Sequence, residues 1–497
     1  MPPISRRTFL KCSIAGIVSC GAVGLRTHRA AGAETRRATQ SDAAPAAKRP
    51  NFLFILTDDQ RWDALGVVQR EQGDKARFPW LRTPHLDRLA AEGVRFRNAF
   101  VVNSLCAPSR ASFLTGCYGH TNGIVNNHTP FPEANVTYAS TLRAAGYRTG
   151  YVGKWHHGKQ PVRPGFDFAA SFLGQGKYFD CPIVVNGETV PSKGYVDDVS
   201  TDYAVGFLKE QKDKPFVLAV GYKATHGPFA PPERHKGTYE GEQARAVPNL
   251  AAPSIYRAKA PPKNLIPGEG PEVKTNLGYF RCITAIDDNV GRLLKALDDL
   301  GLADDTVVVF AGDNGYYLGE HGLGDKRSAY DESLRIPLLL RYPRMNLKGR
   351  TVDEMVLNID MSPTFVDLAG VEVPKVMQGR SWKPLLEGNA AGWRRAWFYC
   401  YFFERGFSTP TVTAVRTDTA KLIRYPGHDD WTEVFDLAAD PYELKNLAGD
   451  PARADLRRSL EAEYEKQKAA IAFRIPDFAD KEGDAAAPGE TPRKKRK

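Results

Sequence analysis

Apolar residues in this chain fall into short continuous runs that alternate with stretches of helical period. Residues 52–56 are five apolar residues in a row, the pattern of a strand buried on both faces, and the run ends in Thr57-Asp58-Asp59-Gln60. Thr83-Pro84 opens a helix that Gly93 stops, and Pro108-Ser109 marks the start of another, just after Cys106. Residues 138–145 read as a helix closed by Gly146, and residues 149–153 as a strand that delivers Lys154-Trp155-His156-His157 at its end. The same order recurs twice: a helix over 199–209 precedes a strand over 216–220 leading to His226, and a helix over 275–300 precedes a strand over 307–310 leading to Asp313-Asn314-Gly315. In the last helix Leu277, Phe280, Ile283, Ile286, Val290, Leu293 and Leu297 make one apolar stripe. A further strand is expected over 336–341 and a helix over 362–370. Alternating strands and helices with polar clusters at strand ends predict a doubly wound, mostly parallel α/β sheet with helices on both faces, and such sheets bind ligands beyond their carboxyl ends.

Past Pro374 the pattern changes. Short strand-like runs at 396–403, 412–416, 421–425 and 433–436, then a helix over 451–473, predict a small antiparallel sheet-and-helix subdomain. The expected organisation is a signal peptide at 1–33, a linker at 34–49, a catalytic domain at 50–373, the subdomain at 374–475 and a charged, disordered tail at 476–497. Residues 227–272 hold nine prolines and no clear period, so they read as a surface excursion near the mouth of a site.

Composition changes this picture at the two ends only. A chain of 497 residues with 42% hydrophobic content can bury a large core. Its formal charge of +10 divides into +7 over residues 1–50 and +5 over residues 493–497, which leaves the body near −2. That distribution excludes a nucleic-acid-binding surface through the body. Arg6-Arg7-Thr8-Phe9-Leu10-Lys11, a weakly apolar run and Ala31-Gly32-Ala33 read as a twin-arginine signal with its cleavage site. The implied partner is the twin-arginine translocon, and the implied location is bacterial, periplasmic or secreted. Ile17-Val18-Ser19-Cys20 offers a lipobox alternative, anchored at Cys20. The apolar run is too short and too rich in Gly and Ser for a stable membrane span. In an exported bacterial protein the sequons at Asn127 and Asn135 are coincidental. Cys106, Cys117, Cys181, Cys282 and Cys400 remain after signal removal, none in a CxxC pair, so four besides Cys106 allow at most two bridges.

Two strand ends carry candidate metal ligands. Asp58, Asp59, Asp313 and Asn314 are hard oxygen donors, which suit Ca²⁺ or Mg²⁺ and not zinc. One Asp-Asp pair at a strand end is commonly a turn or a helix cap; two such clusters, both closing buried strands, favour a metal. Cys106 at a helix N-terminus suits anionic chemistry, but a lone cysteine there reads first as a buried structural thiol.

The run from Asn103 to Gly116 decides between them, because it contains Cys-x-Pro-Ser-Arg-x-x-x-x-Thr-Gly as Cys106 to Gly116. This pattern resembles the signature of the type I sulfatases of the alkaline-phosphatase superfamily. The likeness extends over residues 50–345 through Asp58-Asp59, Gly153-Lys154-Trp155-His156, His226, Asp313-Asn314-Gly315 and Lys326, in the family's order, and Asp436, Pro441, Glu443, Asn446 and Leu447 resemble its C-terminal pattern. The resemblance implies a sulfuric ester hydrolase in which a formylglycine-generating maturase converts Cys106. Asp58, Asp59, Asp313, Asn314 and the modified Cys106 would hold Ca²⁺, with Mg²⁺ as the other possibility. Arg110 would steady the formylglycine hydroxyls, Lys154 and Lys326 would bind sulfate oxygens, His226 would serve the leaving group, and His156 would take the proton that releases sulfate. His157 maps onto no family position and reads as structural or substrate-facing. Residues 119–127 look like the corresponding stretch of N-acetylglucosamine-6-sulfatases, so a sulfated carbohydrate is the expected substrate, with aryl sulfates as the simpler class. Tyr118, His120, Asn122, Tyr316 and Tyr317 are the candidate sugar contacts. Competing readings are a formylglycine-dependent phosphonate or phosphodiester hydrolase, a non-catalytic sulfated-glycan binder, and an exported metal-binding structural protein; the complete set of Lys154, His156 and Lys326 favours sulfate hydrolysis.

Overall fold

A computed structural model of the chain describes residues 49–158, 160, 163–259, 275–404 and 406–477. The expected signal peptide with Cys20, nearly all of the linker and the tail from 478 onward lie outside the described residues, as do residues 260–274, which include the end of the proline-rich connection.

Ten strands make one large sheet: β1 (Asn51–Thr57), β2 (Val94–Phe96), β3 (Arg148–Lys154), β4 (Phe168–Phe172), β5 (Ile183–Val185), β6 (Glu188–Val190), β7 (Phe216–Gly221), β8 (Thr306–Gly312), β9 (Leu338–Arg341) and β10 (Arg350–Val352). Across the sheet they run β10-β2-β9-β8-β1-β7-β3-β4-β5-β6. The centre is parallel, with β1 between β7 and β8, and β3 between β7 and β4. Antiparallel pairs enter toward the edges, where β9 meets β8 and β2, and β5 meets β4 and β6.

Strand β1 shows how the sequence builds this sheet. All seven of its residues are buried. Phe52, Phe54 and Leu56 enter one core while Leu53 and Ile55 enter the other, the period-two alternation of a strand covered on both faces. Helices α1 (Pro84–Glu92), α2 (Cys106–Thr115), α3 (Tyr138–Ala144), α4 (Val196–Gln211), α5 (Leu277–Asp299) and α6 (Met361–Leu368) supply the two covers. Residues of α2, α3 and α6 pack with Phe52 and Phe54, and residues of α1, α4 and α5 pack with Leu53 and Ile55. Helix α3 begins in a capping box formed by Thr137 and Ser140, which satisfies end donors that a helix leaves open.

Four antiparallel strands, β11 (Ala396–Tyr401), β12 (Val412–Thr417), β13 (Ala420–Arg424) and β14 (Glu433–Asp436), form the second sheet. One face of it, with Trp397, Tyr399 and Tyr401, packs on Phe100, Leu105 and Tyr330. The other, with Phe398, Cys400 and Leu422, packs on Leu460 and Tyr464 of α7 (Ala454–Ala470).

Two features depart from the sequence reading. Strands β2, β4, β5, β6 and β10 are five residues or shorter and had no distinct signal. The described part of the 227–272 connection is not structureless: it holds the short helix Ile255–Lys259, and Asn249 and Ser254 are fully buried. All five cysteines after residue 48 are free and buried. Among the described residues no helix is long and apolar enough to cross a membrane.

Candidate active site

The carboxyl ends of β1, β3, β7 and β8 lie side by side in the sheet, so the residues that follow them meet in space. Asp58 and Asp59 follow β1, Lys154 closes β3 with His156 just beyond, His226 follows β7, and Asp313 and Asn314 follow β8. Asp59 has a φ of 56°, a left-handed conformation that Asp tolerates better than most side chains. Three hydrogen bonds fix it: Thr225 Oγ1 donates to the Asp58 and Asp59 carbonyls at 3.0 and 3.1 Å, and Tyr279 OH donates to the Asp59 carbonyl at 2.8 Å. The loop carrying His226 is fixed in turn by Asp197 of α4, whose buried carboxylate accepts from the Lys223 and Ala224 amides at 2.8 and 3.1 Å.

Cys106 is the first residue of α2, fully buried, with Sγ 3.4 Å from Asp58 Oδ1. No side chain at the preceding position caps this helix; instead Asn127 Oδ1 accepts from the Ala107 amide at 3.0 Å. One turn on, Arg110 ties the helix to the strand ends. Its Nε lies 2.8 Å from Asp313 Oδ2, its Nη1 donates to the Lys154 carbonyl at 2.9 Å, and its Nη2 is 3.7 Å from Asp58 Oδ2.

Two ammonium groups flank the carboxylates. Lys154 Nζ pairs with Asp58 Oδ2 and also donates to Gln175 Oε1. Lys326 Nζ lies 2.6 and 2.7 Å from the two Asp59 oxygens, and Asn314 Nδ2 donates to Asp59 Oδ1 at 2.7 Å. His226 Nε2 is 4.0 Å from Asp59 Oδ2, and its Nδ1 faces the Gly227 carbonyl at 3.0 Å.

Burial sets the protonation of this cluster, and neighbouring charge adjusts it. Burial would raise the Asp58 carboxyl, but Lys154, His226 and Arg110 outweigh it and hold that group well below the usual carboxylate range. Burial and the adjacent Asp58 charge push Asp313 up to about 7. Burial and then Asp58 push the Cys106 thiol far above its ordinary value, so the unmodified thiol stays protonated. Burial and Lys154 lower His226 to about 4 and hold His156 well below the ordinary imidazole value.

The same residues fit a divalent cation. One oxygen each of Asp58, Asp59 and Asp313 lie within 4.8 Å of one another. Asn314 Oδ1 beside them is buried with no hydrogen-bond partner, an acceptor that a cation would satisfy. The donor set is all oxygen, apart from residue 106 itself.

Not every expected residue reaches this site. His157 is fully buried among Phe131 and Trp155, and is structural. Of the expected sugar contacts, Tyr118 and Tyr317 are core residues, Asn122 bonds to Thr115, Cys117 and Ile124, and His120 pairs with the Ile471 carbonyl. Tyr316 stacks on Tyr279. The stretch 119–127 contributes instead through Asn127, the external cap of α2. Sequence reasoning missed Gln175, Thr225, Tyr279 and Asp197, which hold or flank the reactive groups without belonging to any motif.

This constellation on this sheet is that of a hydrolase acting on an anionic ester, and the chain belongs to the sulfatase family. The sulfatase family model matches residues 50–371, and the N-sulphoglucosamine sulphohydrolase C-terminal model matches residues 319–470. The chain is 33% identical to an N-acetylglucosamine-6-O-sulfatase of Bacteroides thetaiotaomicron, over 83% of this chain and 85% of that protein. It is 31% identical to an ulvan-active sulfatase of Formosa agariphila, over 86% of this chain and 83% of that protein. Its fold matches the solved structure of BT4656 in complex with its substrate D-glucosamine-2-N,6-O-disulfate, with a TM-score of 0.76 and 32% identity over 86% of this chain and 99% of that one. Phosphonate monoester hydrolase of Agrobacterium radiobacter shares the fold, with a TM-score of 0.70 at 24% identity. The chain is therefore a sulfuric ester hydrolase. Its family implies a formylglycine and a divalent metal, with which the Asp-rich cluster is consistent.

Proposed function

We propose that this sulfatase removes sulfate esters from sulfated glycans, with a 6-sulfated amino sugar as the first candidate, and that residue 106 acts as formylglycine beside Ca²⁺. The observation that carries the chemistry is the ring of Lys154, Lys326, His226 and Arg110 around the carboxylates at Cys106. The glycan assignment is supported by the similarity to the N-acetylglucosamine-6-O-sulfatase and to the BT4656 complex.

Asp58, Asp59, Asp313 and Asn314 would hold the cation, which when bound supplies Lewis-acid polarisation of a sulfate oxygen. Arg110, locked to Asp313, orients residue 106 at the head of α2. Lys154 and Lys326 reach the cluster from opposite carboxylates, so a tetrahedral anion between them meets positive charge from two sides as charge grows in the transition state. His226 lies on the Asp59 and Lys326 side, the place for an acid serving the departing alcohol. Burial leaves it neutral without substrate, and a sulfate beside it raises its proton affinity, so it takes up the proton it donates when substrate arrives. His156, a buried imidazole whose Nδ1 has no partner, is the base for product release. The twin-arginine signal would deliver the folded enzyme to the periplasm or outside.

The test is a panel of sulfated mono- and oligosaccharides and an aryl sulfate, scored for released inorganic sulfate. Release from 6-sulfated N-acetylglucosamine is expected. Turnover of the aryl sulfate with no sugar accepted would defeat the glycan assignment.

A further inference from the structure

Glu443, the glutamate of the C-terminal pattern, has no part in the chemistry at residue 106, yet it is buried and reaches back to the catalytic domain. Its Oε2 accepts from the Asp331 amide at 2.9 Å and its Oε1 from Lys421 Nζ at 2.6 Å. There it meets His321 and Glu332: one ligand atom from each of the three lies within 4.8 Å of the others. His321 precedes Lys326 in the chain and Glu332 follows it, so the group joins the Lys326 segment to the C-terminal subdomain. His321 holds a left-handed φ of 54°, a conformation that a side-chain-bearing residue keeps only where its surroundings over-determine it.

These groups are acceptors with too few donors. His321 Nε2 lies 3.9 Å from Glu332 Oε2, and the Asn249 amide nitrogen is shared between that imidazole, at 3.3 Å, and Glu332 Oε1, at 2.7 Å. An amide nitrogen only donates, so His321 Nε2 faces the group with its lone pair. Glu332 Oε2 is buried with no hydrogen-bond partner. The same holds for Asn249 Oδ1, on a side chain that is 0% exposed, and for the Tyr317 hydroxyl, on a residue 1% exposed. Burial raises the Tyr317 hydroxyl and the charges of Tyr256, Glu332 and Glu443 add to it, so it lies in the field of both carboxylates. Asp331 pairs with Arg416 and Lys421, and Glu443 shares that lysine, but among the described residues Glu332 has no Lys or Arg partner. Asn249 and Glu332 also line a cavity of about 110 Å³ bordered by the exposed Tyr442, a way in from solvent. Two arginines lining it, Arg61 and Arg77, are both paired with Glu320.

We propose that His321, Glu332 and Glu443, with the Asn249 amide oxygen after a half-turn of that amide, bind a divalent transition ion, Zn²⁺ first, at a site separate from the Asp58 cluster. One imidazole and two carboxylates make the mixed nitrogen and oxygen set that Zn²⁺ takes, and the imidazole distinguishes it from the all-oxygen set at Asp58. Three atoms within 4.8 Å of one another leave an ion at their centre at most about 2.8 Å from each, so the side chains close by less than about 0.8 Å to reach zinc distances. The ion neutralises Glu332, satisfies the orphaned oxygens and pins the Lys326 segment to the subdomain.

The test is a Zn²⁺ titration of the full chain by calorimetry, with Ca²⁺ in large excess to fill the Asp58 cluster. Binding of Zn²⁺ is expected, together with a thermal midpoint that rises as it is added. Cys106→Ala is the control, because Asp58, Cys106 and His226 also have ligand atoms within 4.8 Å of one another and an unmodified thiol there can take zinc. One Zn²⁺ per chain should survive that substitution. Glu332→Gln and His321→Ala, each made in the Cys106→Ala chain, are expected to weaken Zn²⁺ by at least about 10- to 100-fold, the loss that even an outer partner of a metal causes. Glu332→Gln keeps the acceptor for Asn249 and carries the test if His321→Ala does not fold. Absence of Zn²⁺ binding by the wild-type chain overturns the proposal. So does binding that disappears in Cys106→Ala, which would place the ion at the catalytic cluster, or an affinity that Glu332→Gln leaves unchanged.

Discussion

Gly153→Ala is the sharpest perturbation of the site's geometry that avoids touching a reactive group. Gly153 sits in β3 one residue before Lys154, with φ of 87°, and a Cβ added there would lie 2.0 Å from the Gly221 carbonyl oxygen of β7. The left-handed backbone alone costs an alanine about 1–2 kcal/mol. The overlap adds about 1–3 kcal/mol, because the opposing atom is main chain in a paired strand and cannot rotate away. The two strands would have to part where they deliver Lys154 and the His226 loop, so activity should fall along with stability. Gly174→Ala is the control: its φ is 56° but nothing lies within 4 Å of the added carbon, so it bears the backbone cost alone. Urea denaturation followed by tryptophan fluorescence, with aryl sulfate turnover on the same samples, reads both effects. The expectation is an unfolding free energy about 2–5 kcal/mol lower for Gly153→Ala, against about 1–2 for Gly174→Ala. Equal losses in the two variants, or full turnover by Gly153→Ala, would refute the argument that this close approach sets the site.

Chelation should abolish turnover, and added Ca²⁺ or Mg²⁺ should restore it better than Zn²⁺, as the oxygen donor set requires; a metal-free preparation with full activity would remove Asp58, Asp59, Asp313 and Asn314 from the account. Glu433, which accepts from Tyr330 and Tyr425, is pushed by burial from its ordinary 4.5 up to about 7. The fold therefore keeps a proton that the unfolded chain loses, so this group's contribution is complete below pH 4.5 and is lost as pH rises through about 7. Glu433→Gln should flatten the fall in thermal midpoint across that window, and an unchanged pH profile would contradict the assignment. For export, replacing Arg6 and Arg7 together with lysine should leave precursor in the cytoplasm, read by fractionation and immunoblotting; mature protein outside the cytoplasm would point to another route.

The central elements were legible because buried parallel strands announce themselves as continuous apolar runs and finish in polar clusters. Strand β1 with Asp58 and Asp59, and β8 with Asp313 and Asn314, needed nothing beyond that pattern. What stayed hidden depends on distance in sequence. Tyr279 is one more aromatic in α5, beside its apolar stripe, until the fold places its hydroxyl on the Asp59 carbonyl. Glu404 and Tyr399 belong to a separate sheet whose strands say nothing about the Lys326 segment they hold. Short strands such as β2 and β5 lack the length for a period to show. Polar residues in the 119–127 stretch invited a sugar-binding reading, but His120 pairs with the distant Ile471 carbonyl, and Asn122 and Asn127 bond to the two ends of the Cys106 helix, at Thr115 and Ala107.

Covalent capture at residue 106 tests the account most directly. A formylglycine hydrate can shed a bound sulfo group because it keeps a second hydroxyl, whereas a serine has only one and no route to release. Cys106→Ser incubated with a sulfated substrate should take up one sulfo group per chain at that residue, seen by peptide mass spectrometry, and then stop. Sustained turnover by this variant, or a chain that stays unmodified with substrate and cation in excess, would contradict transfer of the sulfuryl group to residue 106.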